Sequence, residues 1–262
     1  MKSILVSFIF ICSALFAHAQ DKGDLSFSLG FNECNYKMKD VEEYLADPTF
    51  FDPMLYSDMS FSDIMQGKMY DLELTYQFFK YVDFGLHLNY QGSELTRSFF
   101  YQHYPDPITY PDSIQFTYAG FNLVETRSIS SGLTANVLLN EVFHFEDYES
   151  KILKRITLES GVKFLVGMSS MRDQRITTSP TTAEGVRYNL TATNFNGRAE
   201  LKIGYRFEKD LFTEIGIKLG YQVHLTAPLE NLNRDNLSSP SHNEFRLDFG
   251  GFYYGLFLKL GK

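Results

Sequence analysis

The sequence predicts an all-β fold: an eight-stranded antiparallel up-and-down transmembrane β-barrel with long extracellular loops. Three observations predict it. Residues 1–19 read as a secretory leader, apolar and polar residues alternate with period two from residue 24 onward, and the links between alternating segments are long and short in turn.

In the leader, Lys2 supplies the positive start and Ile4 to Phe16 an apolar run interrupted only by Ser7 and Ser13. Ala17-His18-Ala19 places small residues at the cleavage site, so Gln20 is the expected new N-terminus and residues 20–262 form the barrel domain. The apolar run is too short to cross roughly 30 Å of hydrocarbon as a helix. Cys12 follows the bulky Phe10 and Ile11, so a lipid anchor is not expected. Cys12 leaves with the leader, and Cys34 remains alone, which excludes an internal disulfide in the mature chain.

A formal charge of −8 argues against nucleic acid, whose phosphates require clustered Lys and Arg. The chain holds 25 Phe, 17 Tyr and no Trp, and its mean hydropathy is −0.20. That balance suits strands that are apolar only on every second residue.

Eight segments carry the alternation. The apolar positions are Leu25 to Phe31, Tyr70 to Phe78, Val82 to Tyr90, Ile129 to Leu139, Ile156 to Val166, Phe195 to Phe207 and Ile215 to Val223. The eighth begins at Phe245, Leu247 and Phe249, changes parity after Gly250-Gly251, and resumes as Phe252, Tyr254, Leu256, Leu258 and Leu260. A bulge is expected at the glycine pair. Links 32–69, 91–120, 169–190 and 226–244 are long, links 79–81 and 208–212 are short, and 140–155 is of medium length, with room for a short helix. Residues 93–102 and 114–128 are candidates to extend strands three and four beyond the membrane. Long loops outside and short turns in the periplasm are the asymmetry of an outer-membrane barrel.

In a bilayer the apolar face looks out to lipid and the polar face lines the lumen. The expected interior acids are Asp24, Asp71, Glu73, Asp83, Glu159, Glu200 and Glu214, and the bases Lys163, Arg198, Lys202, Arg206, Lys218 and Lys259. Eight strands leave an interior that side chains fill. A salt-bridged plug is therefore the expected lumen, with a small ion-conducting path as the alternative. Phe78, Phe79, Tyr81, Tyr90, Tyr205, Phe207, Phe212, Tyr221, Tyr253 and Tyr254 fall near strand ends, as headgroup-level aromatics do.

No zinc-type spacing, HExxH, GxSxG or phosphate loop stands out, and no cofactor or metal is expected. His87 and His224 are expected in the lumen, and His103 and His242 in outer loops. The first and second loops concentrate large apolar groups: Tyr44, Phe50, Phe51, Tyr56 and Phe61, then Phe99, Phe100, Tyr101 and Tyr104. They are candidates either to fold over the barrel mouth or to bind a partner.

The opening Leu25-Ser-Phe-Ser-Leu-Gly-Phe-Asn32 and the leader end Ala17-His-Ala-Gln20 resemble PorT-like outer-membrane β-barrel proteins of Bacteroidetes. The resemblance implies an eight-stranded barrel of the OmpA/OmpX-like kind and, for PorT itself, a role in secretion and gliding machinery. Asp112-Ser113-Ile114 looks like the short O-glycosylation sequence of that phylum. The chain departs from the family in ending Leu260-Gly261-Lys262, without the usual aromatic C-terminal residue.

The resulting expectation is a non-enzymatic bacterial outer-membrane surface protein with a plugged lumen, surrounded by membrane lipid and structural or partner-binding through its outer loops. A narrow channel or a component of a transport or secretion system is the alternative. A lipid- or peptide-acting hydrolase is a further one, and it requires a histidine beside a Ser or Asp at one rim.

Overall fold

The computed structural model describes residues 25–46, 62–103, 116–178, 183–207, 214–230 and 244–261. The expected leader and Asp24 lie outside the described residues, as do Phe50, Phe51, Tyr56, Phe61, Tyr104, the Asp112-Ser113-Ile114 sequence, Phe212 and His242.

Eight antiparallel strands close into one hydrogen-bonded ring in chain order. They are β1 (Leu25–Asn35), β2 (Gln66–Phe79), β3 (Val82–His103), β4 (Phe116–Leu138), β5 (Ile156–Thr178), β6 (Ala183–Arg206), β7 (Glu214–Thr226) and β8 (Gly251–Gly261). Closure comes from β1 and β8, with Phe27 opposite Leu260 and Phe31 opposite Leu256. No sheet edge is left within the ring, which is the condition for a strand structure to lie in hydrocarbon.

The ring turns its apolar side outward. Phe31, Leu86, Leu133, Phe164, Val166 and Leu256 stand on the outer surface, each about three-fifths exposed. The alternate positions point inward and are polar and buried, among them Asp71, Glu73, Lys163, Arg198 and Lys218. In water this arrangement would expose a continuous apolar belt while burying charge, so it reads physically as a lipid-facing barrel. At the turn end, Tyr76, Phe78 and Phe84 form edge-to-face contacts at 4.8 and 6.1 Å, and Tyr205 meets Phe207 at 5.3 Å. The medium link holds a short helix, α3 (Leu139–Val142), and two 3-10 turns.

The strands are unequal. Pairing of β2 with β3 stops at Lys68 and Gly92, whereas β3 and β4 continue together to His103 and Phe116. The β5 and β6 strands pair to Thr178 and Ala183, so much of the expected 169–190 loop is strand. Strands β3 to β6 therefore stand beyond the ring as a four-stranded wall on one side of the mouth.

The parity of the apolar residues reverses where the wall begins. Below, the outward residues are apolar: Phe31, Tyr70, Tyr90, Ile129 and Met168, joined by register across five strands. Above, the inward residues are apolar: Cys34, Leu95, Val124, Met171 and Leu190, all buried, while Glu33, Glu94 and Arg127 face out. A strand leaving lipid for water exchanges the solvent of its outer face, so the apolar side must change. The five-residue row marks that boundary.

Two expectations are corrected here. Phe245, Leu247 and Phe249 are not the start of strand eight. They lie in an irregular segment and are almost wholly buried beneath the mouth. The β8 strand begins at Gly251, whose φ of +152° lets the chain leave that segment and enter the ring. A Cβ at Gly251 would lie 1.8 Å from the Asn35 carbonyl oxygen. Tyr253 is not a headgroup-level aromatic. It is an inward residue of β8, 1% exposed.

Candidate functional site

The barrel interior is filled in three layers. Nearest the turn end lies a charge network. The acids Asp71 and Glu73 receive cations from across the lumen, because their inward positions on β2 face β5, β6 and β7 in a narrow ring. Arg198 Nη1 lies 3.1 Å from Asp71 Oδ1, and Lys218 Nζ bonds Asp71 Oδ2. Lys163 Nζ lies 2.7 Å from both Glu73 Oε2 and Glu200 Oε1, and Lys202 Nζ lies 3.0 Å from Glu73 Oε1. Lys259 bonds Glu159 and stands 3.8 Å from Asp83. Glu214 accepts from Thr157 Oγ1.

Neutral groups complete the shells of these carboxylates. Asn32 and Asn89 donate to Asp71 at 2.8 and 3.0 Å, and Asn136 donates to Glu73 at 2.7 Å. His87 sits between Asp71 and Glu73 at 3.1 and 3.4 Å. Tyr253 donates its hydroxyl to Glu200 at 2.8 Å. Buried charge is tolerated when paired and multiply hydrogen-bonded. Room for the network depends on small residues: a Cβ at Gly30 would stand 2.2 Å from Lys218 Nζ. Of the sequence-expected network, Arg206 is the exception. It is exposed at the turn end, because it is the last residue of β6, where the barrel opens to water.

The middle layer is uncharged. Asn194 donates to Ser128 at 3.0 Å and Ser169 at 2.9 Å, Asn196 donates to Gln222 at 3.3 Å, and Gln222 donates to Gln91 at 2.9 Å. His224 lies between Gln91 and Ser169 at 3.2 and 3.3 Å. A Ser–His contact is what a hydrolase requires, but Ser169 is 1% and His224 2% exposed, so the pair faces no substrate path in this arrangement. The ring of Phe249 closes over His224, with centroids 5.1 Å apart.

The upper layer is an apolar cap. Helix α1 (Lys39–Ala46) lies over the mouth with Val41, Tyr44 and Leu45 buried, and Ile64 of α2 (Ser62–Met65) joins them. These meet Leu229, Phe245, Leu247 and Phe249 from residues 227–230 and the 244–250 segment, and the inward side of the wall. Two backbone bonds tie the start of α1 to the other segment: Lys37 N–H to the Gly250 carbonyl and Met38 N–H to the Asp248 carbonyl, both 3.1 Å. Met38 holds a φ of +31°, an uncommon conformation for a residue with a side chain, while wholly buried. Tyr44 was a candidate for partner binding. It is instead a cap residue, 4% exposed, because its ring packs on Phe245 and its hydroxyl donates to Asp173 at 2.6 Å. Phe99, Phe100 and Tyr101 lie on the β3 part of the wall.

Closed ring, apolar outer band and polar filled interior together define an eight-stranded membrane-spanning β-barrel of the outer-membrane kind. No family model and no curated protein match the chain. Two solved structures of Ail, the attachment invasion locus protein of Yersinia pestis, are similar to it at 10% sequence identity. One of them is in complex with the heparin analogue sucrose octasulfate. Each similarity covers 91% of this chain and 99% of the Ail chain, with TM-scores of 0.36 and 0.35. The class follows from the ring and its outer band and does not depend on that likeness.

Among the described residues no group of three or more His, Cys, Asp or Glu is arranged to hold a metal ion.

Proposed function

We propose that this chain is exported with loss of residues 1–19, folds into a bacterial outer membrane, and serves as a non-conducting scaffold that presents its wall to a protein partner. The observation that carries the reading is the wall itself. Beyond the ring, Ser93–His103 of β3 pairs only with β4, and Ala183–Leu190 of β6 only with β5, among the described residues. Both edges leave backbone N–H and carbonyl groups for a further strand to pair with. The inner side of the wall is occupied by the cap, so a partner is left the edges and the polar outer side.

The filled lumen supports the scaffold half of the reading. Three layers of hydrogen-bonded or apolar side chains lie on the path between the barrel ends, so the space a channel would need is taken.

Photo-crosslinking in intact cells tests the partner half. A crosslinker at Thr96 or Asn189, on the two edges, is expected to give a discrete adduct, while one at Leu133 in the apolar belt gives none with protein. Equal adducts from all three positions, or none from either edge, would count against edge pairing.

A further inference from the structure

At the turn end of the barrel, the link between β4 and β5 exposes Val142, Phe143, Tyr148 and Ile152, each between two-fifths and two-thirds. The link is ordered. Phe143 N–H bonds the Leu139 carbonyl at 2.9 Å, Asp147 N–H the His144 carbonyl at 3.0 Å and Arg155 N–H the Ile152 carbonyl at 3.0 Å. Its two 3-10 turns, Phe145–Asp147 and Leu153–Arg155, lie against each other. The ring of Phe145 stacks on Phe143 at 6.4 Å and meets Tyr148 edge-on at 6.2 Å. Glu141 is turned to Gln77 and Arg206 at the lumen end. Phe143 follows it by about 200° around the helix, so its ring points away from the lumen.

Both ends of this apolar surface run into the belt. At the start, Leu138 N–H bonds the Tyr81 carbonyl at 2.9 Å, beside the exposed rings of Phe78 and Phe79. At the end, Arg155 donates to the Tyr205 hydroxyl at 3.1 Å, and Tyr205 packs on Phe207. A patch shaped for a protein partner has a polar rim around it. This one joins the lipid-facing surface instead. The charges are also sorted along the link: Glu146, Asp147 and Glu149 stand in its middle, and Lys151, Lys154 and Arg155 where it returns to the belt at β5.

We infer that the 142–155 link is an interfacial foot, seated in the headgroup layer of the periplasmic, phospholipid leaflet. Val142, Phe143, Tyr148 and Ile152 reach the upper acyl chains, as the apolar side of an interfacial segment does. Lys151, Lys154 and Arg155 meet lipid phosphates at the edge of the belt, and the acids of the middle stay on the water side. The foot is independent of the wall edges. It rests on the barrel lying in a bilayer with its short turns in the periplasm.

The chain contains no Trp, so a single introduced indole reports its own depth. The full mature chain is folded in phosphatidylcholine vesicles with bromine on the upper half of the acyl chains, on the lower half, or absent. Phe143→Trp, Ile152→Trp, Glu146→Trp and Leu133→Trp are compared by fluorescence. Upper bromines are expected to remove more than half of the emission of Phe143→Trp and Ile152→Trp, and lower bromines less. Glu146→Trp should keep its emission in both, and Leu133→Trp should lose most of it to the lower bromines. An unquenched indole at either Phe143 or Ile152 overturns the foot. So does equal quenching at Glu146→Trp, because the indole and not the apolar side of the link would then be choosing the leaflet. Heat-modifiable gel migration reports folding of each sample. Folded protein in which Leu133→Trp is also unquenched contradicts the membrane barrel itself, whereas quenching at Leu133→Trp without quenching on the link contradicts the foot alone.

Discussion

Glu73→Ala is expected to lower the unfolding free energy of the barrel by about 3–5 kcal/mol, the cost of leaving buried charge without its partner. Glu73 is 5% exposed and receives Lys163 at 2.7 Å, Lys202 at 3.0 Å and Asn136 at 2.7 Å. Lys163 keeps Glu200, but Lys202 is left with Glu200 at 3.3 Å and Glu159 at 3.8 Å, both already engaged with other cations. Urea unfolding in vesicles, followed by circular dichroism and gel migration, gives the value. The companion change Lys202→Met should recover part of the loss when combined with Glu73→Ala, since the two side chains act on each other. A loss below about 1 kcal/mol would mean that water already screens the network as it does a surface pair.

The second large effect is on the outside. Leu133→Arg is expected to cost about 2–4 kcal/mol in a bilayer, the range for a cation near the midplane of a barrel's lipid face. Leu133 is 64% exposed and flanked in register by Leu86 and Phe164, which are exposed to a similar degree. In water the same change at so open a position would move stability by no more than about 0.5 kcal/mol. The size of the effect therefore reports which solvent the belt faces. Unfolding of the variant and the parent in the same vesicles measures it, and an unchanged midpoint would place the belt in water.

The strands inside the membrane were legible because each has a different solvent on its two faces. Tyr70, Leu72, Leu74, Tyr76 and Phe78 against Asp71, Glu73, Thr75 and Gln77 is a pattern that only a two-solvent strand produces. The wall was harder to read for the same reason. Above the boundary row both the outer face and the strand edges are wet, and the apolar residues that remain, Leu95, Val124, Met171 and Leu190, point the other way. One continuous parity ends at the boundary, so the upper parts of β5 and β6 read as the 169–190 loop, whereas 93–102 and 114–128, expected to extend strands three and four, are strand where described.

The cap segment defeats parity for a different reason. Phe245, Leu247 and Phe249 alternate like a strand, and periodicity alone cannot separate a strand from an extended segment pressed under a helix. The parity break at Gly250-Gly251 was a visible sign that two different structures meet there. Helix α1 carried its own signal, since Val41, Tyr44 and Leu45 repeat at helical spacing. The inward charges were legible one by one from parity, but their partners were not. Register and barrel closure decide that Arg198 meets Asp71 while Arg206 meets water, and neither is written in a single strand.

A barrel that spans a membrane with its interior filled cannot conduct. Planar-bilayer recording of the purified, refolded mature chain tests this property most directly. The filled charge, amide and cap layers predict no steady current above the bare membrane, in protein shown by gel migration to be folded. A steady open-channel current from that folded protein would contradict it.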